Sequence, residues 1–239
     1  GICNHTLIPA FTLYHFNSNF GMIGIMNLYE FKNLFSIIKY GKKLGQKNCT
    51  PGTSGNISVR LGENIMISAS GSALGDLRCE DVVIMDFGTN LVKGKKKPSS
   101  EKHLHARIYE MRPDINAIIH CHAPYVSSFA VAHIPLSKPI ISENVFYFGE
   151  IPLADYAMPS SDDLVEFTSK FFDKHDAVLM ANHGIIIGGK DIKDAYYKME
   201  TAETYAQIYL NSFILGGSHD LSQKHIEEIY ELRKLMGKA

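Results

Sequence analysis

Between Ser99 and His122 the sequence places two hydroxyls, a carboxylate and several imidazoles: Ser99-Ser100-Glu101, then His105, then His120-Cys121-His122. Histidines two apart on an extended strand point to the same face of a sheet. Two such rings can hold one zinc ion, although a bare His-x-His is served equally well by two hydrogen-bonded histidines. Glu101 follows the serines where a helical pattern begins. A helix start offers free N–H groups and the positive end of the helix dipole, which suits an anion. Ordinary helix capping would use the same residues. His183, in Asn182-His183-Gly184 between two apolar runs, is the fourth candidate ligand, or else a turn histidine satisfied by backbone. His105 lies one helical turn after Glu101 and is expected to support or pack rather than ligate. Cys121 competes as nucleophile or ligand, but strand alternation turns it away from His120 and His122, so packing is expected of it. Gly55-Asn56 and Ser70-Gly71 lie in small-residue loops that allow close backbone approach of a phosphate, or that are simply hairpin turns.

The elements that must position these groups follow from periodicity and breakers. Asn27 reads as an N-cap. Leu28, Phe31, Leu34, Phe35 and Ile38 recur at helical spacing toward Gly45. Ile57 to Arg60 and Ile65 to Ala69 read as a hairpin, Asp81 to Asp86 as a further strand, and Leu91-Val92 as the start of another. The run Lys93 to Lys97 reads as a solvated arm. A helix is expected from Ser100 to Met111, stopped before Pro113, then a strand from Ala117 to His120 and a helix from Pro124. Ile140-Ile141 and Val145 to Phe148 read as strand fragments. A helix from Pro159 to about Lys174, strands Ala177 to Met180 and Ile185 to Ile187, and two helices, Ile192 to Leu215 and Ser222 to Met236, complete the chain. Strands mixed with helices throughout predict one three-layer α/β/α domain over residues 22–239. Residues 1–21 lack a clear period and are expected to lie outside it.

Composition narrows the class. The chain has 239 residues, 45% of them hydrophobic, and a net charge of −1. That suffices for one full core and argues against nucleic acid or a polybasic membrane surface as partner. No apolar run is long enough to span a bilayer. Four scattered cysteines without a Cys-x-x-Cys pair point away from a disulfide framework and toward a reducing, cytoplasmic setting.

The ordered set Gly52-Thr53-Ser54-Gly55-Asn56-Ile57-Ser58, Ser68-Ala69-Ser70-Gly71, Ser99-Ser100-Glu101, His120-Cys121-His122 and Asn182-His183-Gly184 resembles the class II aldolase/adducin family, over roughly Asn27 to Leu215. The resemblance implies a largely antiparallel mixed central sheet between helical layers. It implies one Zn2+ per chain held by His120, His122, His183 and Glu101, with Glu101 also the catalytic acid/base. Asn56, Ser70, Gly71, Ser99 and Ser100 would form the substrate phosphate pocket. A homotetramer with active sites at subunit interfaces is implied too. Glu143 and Tyr147 occupy the region from which a neighbour supplies catalytic residues; as bare residues they read equally as strand-edge packing. The implied activity is reversible cleavage of a ketose 1-phosphate to dihydroxyacetone phosphate and a small aldehyde. Within the family, a pentulose-5-phosphate 4-epimerase, a methylthioribulose-1-phosphate dehydratase and a non-enzymatic adducin-like interaction module share much of the pattern.

Overall fold

The computed structural model describes residues 26–237; the expectation for residues 1–21 lies outside them. In chain order the elements are α1 (Leu28–Gln46), β1 (Asn56–Leu61), β2 (Asn64–Ser68), β3 (Val82–Asp86), β4 (Leu91–Lys93), α2 (Lys102–Met111), β5 (Ala117–Cys121), α3 (Pro124–Val131), α4 (Ser142–Tyr147), β6 (Leu153–Ala154), α5 (Asp162–Ser169), β7 (Ala177–Met180), β8 (Gly184–Gly189), α6 (Ile192–Ile214) and α7 (Gln223–Leu235). The strands form one sheet in the order β4-β3-β2-β1-β5-β8-β7-β6. Each adjacent pair is antiparallel except β6 with β7.

Side-chain alternation divides the core into two layers. Ile57, Val59, Ala117, Ile119, Cys121 and Leu179 face α1, α3 and α6 through Leu34, Ile37, Phe129 and Met199. Ile65, Ile67, Ile118, Val178 and Ile186 face α2 and α5 through Leu104, Ile108 and Leu164. The result is the expected α/β/α sandwich, with Cys121 in the opposite layer from Ile118 and its neighbours. Local signals set the helix ends. Asn27 and Glu30 form a reciprocal capping box at α1, and Pro124 opens α3 where its missing N–H costs nothing.

One stretch differs from expectation. Val145 to Phe148 is not a strand fragment: Ser142–Tyr147 is the short helix α4, and Ile140-Ile141 belongs to no strand. The β-branched and aromatic residues there satisfy strand propensity. Val145 and Phe148, three apart, are both buried, which is the one-face spacing of a helix. The strand of this region is the short β6, which sequence reasoning did not find.

Two close approaches fix the strand ends that carry the site. Asn56 of β1 sits directly across from His120 of β5. Gly55, just before it, has φ +77°, and a Cβ there would stand 2.6 Å from the His120 carbonyl oxygen. Gly184, which opens β8, lies so close to the Cys121 carbonyl that a Cβ would collide with it. A side chain at either position would push apart the strands bearing the histidines.

The register of α2 against β1 matters as much. Asn56, Ser58 and Arg60 share one face of β1, and Glu101, His105 and Tyr109 share one face of the α2 segment. Two residues of strand advance about 6.6 Å and four of helix about 6 Å, so the two series stay in step. Asn56 contacts Glu101 and His105, Ser58 contacts His105 and Tyr109, and Arg60 contacts the Tyr109 carbonyl.

Candidate active site

The end of β5, the turn before β8 and the start of α2 converge. The rings of His120, His122 and His183 stand edge to face around a common point, with centroids 4.7 to 4.9 Å apart. Each offers one ring nitrogen, and these lie within 4.8 Å of one another. The Glu101 carboxylate completes the group, at 3.4 Å from His120 Nε2 through Oε2 and 3.4 Å from His183 Nε2 through Oε1. Glu101 is only 6% exposed, and its side chain makes no capping bond at α2. Ser99 Oγ accepts the Glu101 N–H instead, at 3.3 Å. The carboxylate is thus released toward the histidines rather than folded back as a cap.

The protonation of the group suits a cation. His120 Nδ1 faces the Ile185 carbonyl at 2.9 Å. A carbonyl only accepts, so Nδ1 carries the proton and Nε2 keeps its lone pair toward the other rings. Burial, aided by the neighbouring imidazoles, lowers the His122 and His183 pKa values to about 4, so both rings are neutral at pH 7. Burial alone would raise the Glu101 pKa. His120, His183 and the Asn56 amide outweigh it and hold the carboxyl below its usual range. Among the described residues the buried His183 Nδ1 has no hydrogen-bond partner.

The other expected residues fall in three places. Ser70 and Gly71 run beside Ser99: Ala69 bridges to Pro98, the Ser70 N–H donates to the Lys97 carbonyl, and the Ser99 N–H donates to the Ser68 carbonyl. Ser99 is buried, whereas Ser70, Gly71 and Ser100 are exposed. Asn56, the remaining residue of the expected phosphate pocket, packs against Glu101 and His105. It is 5% exposed; its Nδ2 donates to Glu101 Oε2 at 2.8 Å, and its Oδ1 faces His105 Nε2 at 2.5 Å. Glu143 and Tyr147 lie on α4 and line a groove against Tyr197, Thr201 and Tyr205 of α6. Within this chain they are not brought to the histidines.

Three functional neighbours escaped the sequence reading. Ser58 and Tyr109 join His105 behind Asn56, at 2.7 and 2.8 Å from one another's polar atoms. The matched periods of β1 and α2 were the available signal. Glu203 of α6 is the third. Its two oxygens accept the Tyr125 and Val126 N–H groups at 2.9 Å each, anchoring the start of α3 directly after His122.

The chain matches known proteins over most of its length. A family model described as Class II Aldolase and Adducin N-terminal domain matches residues 36–210. An L-fuculose phosphate aldolase of Methanocaldococcus jannaschii is 37% identical over 178 residues, 74% of this chain and 96% of that protein. A 3-oxo-tetronate 4-phosphate decarboxylase of Haemophilus influenzae is 30% identical over 178 residues, 72% of this chain and 84% of that protein. A solved L-fuculose 1-phosphate aldolase superimposes with TM-score 0.80 at 33% identity, over 85% of this chain and 96% of that one. On sequence and fold together, the chain belongs to the class II aldolase and adducin family and stands with its enzymes, the lyases.

Proposed function

We propose that the chain is a zinc-dependent aldolase that reversibly cleaves a ketose 1-phosphate, of the L-fuculose 1-phosphate kind, into dihydroxyacetone phosphate and a small aldehyde. The observation that carries this is the Glu101 carboxylate aimed between the Nε2 atoms of His120 and His183. The donor set fits the ion: neutral imidazoles with converging lone pairs and one carboxylate suit zinc. Zinc bound by His120, His122, His183 and Glu101 would polarise the ketose carbonyl and stabilise the negative charge that develops as the carbon–carbon bond breaks.

The chain's own groups do the rest. Glu101, held anionic, takes the proton of the hydroxyl whose carbon becomes the aldehyde and delivers it to the carbon that the cleavage leaves on the phosphate-bearing fragment, completing dihydroxyacetone phosphate; the reverse direction runs the same transfers backward. Ser70, Gly71, Ser99 and Ser100 hold the phosphate and so place the reacting carbons over the histidines. Asn56 orients the Glu101 carboxylate through one Nδ2 hydrogen, and the second hydrogen of the same NH2 group leaves it able to join the phosphate pocket. Glu143 and Tyr147 contribute only from a neighbouring subunit in this reading, which calls for the family's homotetramer. Among the described residues Cys49, Cys79 and Cys121 form no disulfide, which accords with a cytoplasmic setting.

The Haemophilus influenzae relative favours a second reading, decarboxylation of a phosphorylated 3-oxo acid. Both reactions break a carbon–carbon bond and build charge on an adjacent carbonyl oxygen. The interaction-module alternative is set aside, because the chain stands with the family's enzymes. The test is a product assay of the zinc-loaded protein on a panel holding ketose 1-phosphates, a pentulose 5-phosphate, methylthioribulose 1-phosphate and a 3-oxo acid phosphate. Dihydroxyacetone phosphate plus an aldehyde is expected. Carbon dioxide, an epimer or a dehydrated product instead would overturn the aldolase reading.

A further inference from the structure

Behind Glu101 lies a fully buried polar chain that the reaction itself does not need: Tyr109 Oη, Ser58 Oγ, His105, Asn56 and Glu101 Oε2, with successive separations of 2.8, 2.7, 2.5 and 2.8 Å. Its direction is forced from one end. An ionised carboxylate only accepts, so the Asn56 amide turns its NH2 to Glu101 and its carbonyl to His105. His105 Nε2 must then carry a proton. A neutral ring leaves Nδ1 as acceptor, so the Ser58 hydroxyl donates to it and the Tyr109 hydroxyl donates to Ser58. His105 is 0% exposed, and its two ring partners are a hydroxyl and an amide oxygen, so a second proton would be a buried charge with no carboxylate bonded to the ring, which favours the neutral form. Every hydrogen in the chain points toward the active site.

We infer that His105 is a positioning residue: as a neutral, Nε2-protonated imidazole it locks the Asn56 amide with its NH2 facing Glu101, while Ser58 and Tyr109 lock its tautomer. Without it the amide is free to flip. A carbonyl facing the Glu101 carboxylate would then replace a charge-assisted hydrogen bond with repulsion. The catalytic consequence rests on Glu101 as the acid/base; the tautomer does not.

Two measurements separate these parts. Nitrogen-15 NMR on histidine-labelled, zinc-loaded full chain reads the tautomer, with the His105 signals assigned by their loss in His105→Gln. The expected result is one proton on Nε2 and none on Nδ1, unchanged from about pH 5 to 8. A proton on Nδ1, or a doubly protonated ring in that range, would overturn the inference whatever the protein's activity. Kinetics read the positioning. His105→Gln can still donate to Asn56 and accept from Ser58, and should keep kcat within a few-fold. His105→Met has similar bulk and no donor. Its kcat should fall ~10- to 100-fold, the range for losing a hydrogen bond to a charged group, with KM and zinc content nearly unchanged. Equal kcat values for the two variants would overturn it. If His105→Met does not fold, Ser58→Ala takes its place, and an unaltered His105 tautomer there would overturn the locking role. A wild-type chain with the expected tautomer but no ketose cleavage would refute the aldolase reading and leave the positioning inference standing.

Discussion

Glu101→Gln isolates the role of the carboxylate at the centre of the site. Gln has nearly the same shape, and its oxygen can still accept the Asn56 Nδ2 hydrogen at the present 2.8 Å. The fold should therefore survive. What is lost is the charge facing His120 and His183 at 3.4 Å and the ability to hold a proton at neutral pH. A general acid–base group contributes ~100- to 10,000-fold in rate, which is ~3 to 5 kcal/mol of barrier. A loss of kcat within that range is expected. Ser100→Ala is the matched control. Ser100 is exposed, whereas Ser99 is buried and bonded to the Glu101 N–H, so only Ser100 can be trimmed without disturbing Glu101. Its KM should rise more than its kcat falls. Steady-state assays of dihydroxyacetone phosphate release, with zinc content measured on each variant, make the comparison. Near wild-type kcat for Glu101→Gln with metal bound would refute the acid/base role and move the search to Glu143 and Tyr147 of a neighbouring subunit.

Elemental analysis should find one divalent metal per chain, and chelation should lower both activity and melting temperature until zinc is restored; full activity in metal-free protein would refute the site. His105 has its pKa depressed from 6.5 to about 3, so the unfolded chain binds the extra proton between those values. Its contribution to stability is complete above pH 6.5 and is lost as pH falls toward 3, on the order of 2 kcal/mol by pH 5. Urea unfolding at pH 7 and pH 5 should show a smaller acid loss in His105→Gln than in wild type. Glu203→Ala removes two charge-assisted bonds to the start of α3 and should destabilise by ~2 to 4 kcal/mol; calorimetry should show a drop of roughly 4 to 16 °C, with weaker zinc retention because His122 sits just before that helix. Gly184→Ala forces β8 away from the Cys121 carbonyl, and zinc titration should show the site lost before the fold, since circular dichroism should stay near wild type.

The sequence by itself determined what depends on near neighbours. His120 and His122 share a face because a strand repeats every two residues. Cys121 packs on the other side for the same reason. Asn27 caps α1 through a bond that spans three residues, and Pro124 starts α3 because its fixed φ and missing N–H suit a first helical position. Propensity misled where it outweighed period, at Val145 to Phe148, because a short apolar run satisfies strand and helix alike until packing chooses. Only the tertiary structure decided that His183, sixty residues and two strands later, meets Glu101 and His120, since a contact across such a separation leaves no periodic trace in either segment. It also decided what Asn56 touches. A small polar residue in a glycine loop suits a phosphate; the pairing of Asn56 opposite His120 and the step of α2 along β1 also bring its side-chain amide against Glu101 and His105. The two periods, four on the helix and two on the strand, were each visible in the sequence. That they lie against each other in register was fixed by the packing of the two layers.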